Sequence, residues 1–226
     1  MTMNMFEQFM GPELLMMPTA PLSMLVPILL IHHKPKLLGN RMTTAITWLL
    51  KTTMLNMTNQ LTPNGQKWCK VLTSLLIVIL LSNLLGLLPY TFTSTSQLSM
   101  NMAMAIPLWA ATVITGMMKK PSTMLAHMLP EGSPTPLIPF MIIIETISLL
   151  MRPLALGVRL TANITAGHLL MTMVSTATLN FINAHIILST MTWLLLLLLS
   201  ILELAVACIQ AYVFVLLIIL YLQENT

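Results

Sequence analysis

Four charged side chains fall inside stretches so apolar that lipid would surround them: Glu145, Arg152, Arg159 and Glu203. An ionised group at the middle of a bilayer costs about 3 kcal/mol on insertion scales and more in simulation, so each must face protein or water and have a task or a partner. At about 100° per residue, Glu145, Arg152, Arg159 and Asn163 share an arc of about 40° on one helix face, and His168 lies on the opposite face. Further along, Glu203 and Gln210 share a second face, with His185 on the same side. Glu and His can take up and release protons when their surroundings bring them near the working pH, whereas Arg keeps its charge under all relevant conditions. Titratable groups on both sides of a permanent cation make two polar approaches separated by a barrier. That chemistry is proton movement.

Blander roles compete for the same residues. Arg159 could be a structural cation, but Glu145 is about 21 Å away along the same helix and cannot meet it, which leaves Glu203 as the candidate partner. Arg152 precedes Pro153 and could snorkel to the inner surface. His168 could be a satisfied core histidine, and Asn163 and Gln210 could be hydrogen-bond glue between helices. His32, His33, His127 and His185 lie at boundaries or in loops, where water serves them. Cys69 and Cys208 have neither metal spacing nor a disulfide framework, and no phosphate-binding loop is present, so no metal or cofactor is expected.

The elements that carry these residues follow from composition. Of 226 residues 57% are hydrophobic and 7% charged, with ten Lys and Arg against six acidic residues, all of them Glu. Soluble domains carry about 25% charge, so this chain is an all-α integral membrane protein and not a soluble enzyme. The basic residues sit between long apolar runs, where they suit membrane flanks better than nucleic acid. A helix needs about 20 apolar residues to cross a bilayer. Spans are expected at 14–31, with Pro18, Pro21 and Pro27 weakening the first, at 71–88 and at 98–118. Between the first two, Met42, Ala45, Ile46, Leu49, Leu50 and Met54 recur at helical spacing, so 41–61 reads as an amphipathic helix lying in the interface. A Pro-rich loop at 121–136 follows the third span.

The final spans, 137–179 and 186–222, are longer than an upright crossing needs. The second would run about 55 Å as a straight helix, with no Gly or Pro inside it to make a turn. Two such helices joined through Asn180–Asn183 fit a strongly tilted hairpin that wraps a curved partner. Five spans with one interfacial helix form a single membrane domain, 1–226. Lys34, Lys36, Arg41, Lys51, Lys67, Lys70, Lys119 and Lys120 then fall on one side, and 1–13, 89–97 and 180–185 contain no Lys or Arg. The positive-inside tendency puts the C-terminus inside and the N-terminus outside. Met1–Gly11 lacks the features of a signal or transit peptide, and 22 methionines suit a mitochondrial genetic code.

Three blocks of the chain resemble those of one family. ETISLLMRPLALGVRLTANITAGHLL, from Glu145 to Leu170, is similar to the signature of the a-subunit family of rotary ATP synthases. SNLLGLLPY (Ser82–Tyr90) and LELAVACIQAYVF (Leu202–Phe214) resemble two further blocks in the same order, so the likeness spans essentially the whole chain. Bacterial relatives tend to carry an acid where this chain has His168 and a histidine where it has Glu203.

The resemblance implies a stator subunit against a ring of c subunits, with the peripheral-stalk subunit b, small membrane stator subunits, lipid and protons as its other partners and no nucleic acid. Asn163, His168, Glu203 and Gln210 would line an outer half-channel, Glu145 would mark an inner one, and Arg159 would face the ring carboxylate between them and prevent a short circuit. The mitochondrial form implies a multi-pass protein of the inner membrane, with its N-terminus toward the intermembrane space and its C-terminus toward the matrix. It would carry protons without itself being catalytic. A proton-coupled secondary transporter would also bury these charges, but it is usually built of paired, broken spans that are not visible here. A purely structural subunit of another respiratory complex would tolerate loss of the buried charges.

Overall fold

A computed structural model describes residues 9–11, 13–14, 17–31, 41–60, 65–88, 91–119, 121–122, 126, 137–182 and 185–225. Most of the expected 121–136 loop, and His32, His33 and His127, lie outside them. Among the described residues a two-residue antiparallel ladder, β1 (Glu13–Leu14) with β2 (Met17–Pro18), precedes the main helices α1 (Thr19–Ile31), α2 (Arg41–Gln60), α3 (Cys69–Gly86), α4 (Leu98–Lys119), α5 (Ile138–Ile182) and α6 (Ile186–Asn225). The protein is an all-α membrane protein. Four helical segments among the described residues are long and apolar enough to cross a bilayer, and they contain α3, α4, α5 and α6.

The first helix starts at Thr19 and not at Leu14, and has 13 residues. Proline explains the start: Pro21 falls in the first turn, where its missing N–H has no intrahelical acceptor to serve. At 1.5 Å per residue α1 is about 20 Å long, shorter than the hydrocarbon core. In contrast α5 has 45 residues and α6 has 40, or about 68 and 60 Å. The α5 helix continues through Pro153 at the loss of one backbone hydrogen bond.

Lipid offers the hydroxyls on these helices no partners, so they turn back onto their own backbone. On α5 the hydroxyls of Thr165, Thr172, Ser175 and Thr178 donate to carbonyls three or four residues earlier. A Thr or Ser satisfied this way can lie in an apolar span at little cost.

The chain forms two compact units. One comprises 1–31, 78–100 and 159–212, and it buries Ile79, Leu160 and Ala211 completely, with Ser82, Asn83, Thr93 and Gln210 as its polar interior. The other comprises 32–77, 101–158 and 213–226, and its core holds Leu72, Leu76, Leu156, Phe214, Val215 and Leu222. The α6 helix leaves Ile187, Trp193, Leu194 and Leu198 exposed, as lipid-facing side chains require.

Candidate functional site

The polar residues of the unit built from 159–212 gather where α5 and α6 face each other. His168 Nδ1 lies 3.9 Å from Glu203 Oε1, and their side chains are 22% and 13% exposed. Between the same two helices, Asn163 Nδ2 donates to Gln210 Oε1 at 2.9 Å. Asn83 of α3 donates to the carbonyl of Ala207 on α6 at 3.4 Å. Glu203, the candidate partner for Arg159 by sequence, is joined by the geometry to His168.

Space beside Glu203 is part of the arrangement. A cleft of about 80 Å³ opens between the two helices, with Asn163, Gly167 and Glu203 among its lining residues and Leu170, Leu202 and Val206 as apolar walls. That volume has room for more than one water molecule. Glu203 Oε1 and His168 Nε2 are buried with no hydrogen-bond partner among the described residues. Such orphaned atoms are costly unless something transient, a proton or a water, completes them. Gly167 makes the cleft possible, because a Cβ there would stand 2.7 Å from Glu203 Oε1.

Arg159 is treated differently. It is exposed on α5 and has no ion-pair partner among the described residues, although Leu160 beside it is fully buried. Ala162, Asn163 and Ala166, three, four and seven residues on, are exposed with it and form a stripe of mostly small side chains around the guanidinium. A permanent cation in an apolar span is costly without a counter-charge, and none of the described residues supplies one to Arg159.

In the other unit Arg152 is fully engaged. Its Nη1 lies 2.6 Å from Glu224 Oε2, its Nη2 lies 4.0 Å from Glu145 Oε1, and its guanidinium stacks 5.0 Å from the centre of the Tyr221 ring. Arg152 is therefore a clamp between α5 and the end of α6. Sequence spacing gave no sign of Glu224 or Tyr221 as partners, since 72 residues separate the bonded pair. Exposed His185 uses its backbone N–H to bond Phe181 and joins none of these clusters. Among the described residues no group of His, Cys, Asp and Glu could hold a metal ion.

Comparison with known proteins points to one family for the whole chain. The profile of the family described as ATP synthase A chain matches residues 14–223. The chain belongs to the ATP synthase A chain family. Curated relatives named ATP synthase F(0) complex subunit a agree along their entire length and that of this chain: 88% identity in Lycodon semicarinatus, 57% in Struthio camelus and 51% in Pan troglodytes. Those relatives are named as a subunit of a larger complex.

Proposed function

We propose that this chain is the proton-conducting stator subunit of a mitochondrial ATP synthase. The observation that carries the reading is the contrast between Arg159, exposed and without an ion-pair partner among the described residues, and the sequestered Glu203–His168 pair on the same unit. Protons from the intermembrane space pass into an outer half-channel made by Asn163, Gln210, His168 and Glu203 and reach a carboxylate on a helix of the c-ring. The neutralised carboxylate moves into lipid as the ring turns. After most of a revolution it meets an inner half-channel near Glu145 and loses its proton to the matrix.

Arg159 stands between the two. A fixed positive charge favours the ionised form of a carboxylate opposite it and repels a hydronium ion, so the ring site stays ionised as it passes from the inner to the outer half-channel and the direct leak is blocked. The small side chains of Ala162 and Ala166 allow a ring helix to approach closely. The lengths of α5 and α6 suit a hairpin lying far over in the membrane against the curved ring wall, and the lysine-rich side faces the matrix. One charge crossing 100 mV releases about 2.3 kcal/mol, so several protons per ATP are needed to drive synthesis by the rest of the complex.

Disulfide trapping tests the facing surface. Ala162→Cys should cross-link to a cysteine placed one helical turn from the ring carboxylate and should not cross-link when the ring cysteine is moved to the opposite face. Equal cross-linking to both ring faces would contradict the reading.

A further inference from the structure

His168 has a neighbour that none of the three sequence blocks contains. Phe9, in the segment before β1, places its ring 6.5 Å from the His168 ring, centroid to centroid, with the planes at 67°. That is an edge-to-face pair within the usual 4.5–7 Å range. Phe9 also lies ahead of residues 14–223, the part matched by the family profile. The family pattern supplies His168 and Glu203, and the segment in front of it supplies a wall.

The wall matters because the imidazole is otherwise loosely held. Rotation about the Cβ–Cγ bond of a histidine has broad minima, and the ring is normally fixed by a hydrogen bond at the nitrogen that does not do the chemistry. Here Nε2 is buried without a hydrogen-bond partner among the described residues, and Nδ1 is the nitrogen that faces Glu203, at 3.9 Å. A half-turn of the ring would put a carbon where Nδ1 now stands and break the route to the carboxylate. An aromatic edge-to-face contact restricts that rotation by shape and by the ring quadrupole, in place of the missing hydrogen bond.

We infer that Phe9 is a positioning residue for proton transfer between His168 and Glu203, holding the imidazole so that Nδ1 faces the carboxylate. The inference rests on the proposed role of His168 in the outer half-channel. It also gives the leading segment a task in conduction, beyond serving as a membrane-external tail.

The test uses the assembled ATP synthase in vesicles and reads proton flux per assembled complex, with assembly measured separately on native gels. Phe9→Ala should slow flux by about two- to tenfold, Phe9→Tyr should restore it, and Phe9→Leu, which keeps apolar bulk without a ring, should not. In a His168→Gln background, itself slowed but conducting, Phe9→Ala should add nothing. Normal flux in Phe9→Ala, full rescue by Leu, or slowing that multiplies with that of His168→Gln would each overturn the inference. Wild-type flux in His168→Gln would overturn the role of His168 itself. A slowed His168→Gln beside a normal Phe9→Ala would sink only the role of Phe9.

Discussion

A methyl group on the α-carbon of Gly167 would stand 2.7 Å from Glu203 Oε1, closer than such atoms pack. The carboxylate beside His168 therefore occupies space that only the absence of a side chain on the facing helix provides. Residue 167 sets where that carboxylate can be.

Gly167→Ala should displace Glu203 by a few tenths of an ångström or more and slow proton flux by about tenfold, since a misplacement near 1 Å can cost a hundredfold. Assembly should change little, because the added methyl meets one flexible side chain. Glu203→Asp, one methylene shorter, should be slow alone, and combined with Gly167→Ala it should lose less than the product of the two single effects. Flux in vesicles per assembled complex measures all three. Strictly multiplicative losses would show that the two positions act independently.

The two membrane arginines should respond in opposite ways. Arg152 has its carboxylates and an aromatic ring within this chain, and its side chain and that of Glu224 are 29% and 44% exposed, so the pair is worth about 1 kcal/mol or less. Arg152→Gln should lower the assembled fraction modestly and leave ATP synthesis per assembled complex within about twofold of wild type. Native-gel yield together with the synthesis rate separates the two effects. A loss per complex as large as that expected for Arg159 would assign Arg152 to the conduction path.

Much of this was legible in the sequence because lipid makes charge conspicuous. Arg159, Glu203, His168 and Asn163 could be singled out by cost and helical phase, and the long spans by length alone. Which groups meet was not legible. Asn163 and Gln210 shared no pattern across 47 residues, yet they form a hydrogen bond, and Arg152 found Glu224 only because α6 runs on to the last turn of the chain. The late start of α1 turned on where prolines can be tolerated in a first turn, which apolar content does not reveal. Gly167 and Phe9 were missed because neither carries a polar atom. Their importance lies in the shape around Glu203 and His168.

The central claim is that Arg159 serves a carboxylate outside this chain and separates two proton paths. Arg159→Ala in the assembled complex, reconstituted under an imposed proton gradient, tests it most directly. ATP synthesis should fall by at least a hundredfold with assembly largely retained, because the ring carboxylate is no longer held ionised at the stator and protons can leak past it without driving rotation. Synthesis at the wild-type rate in the fully assembled variant would contradict it.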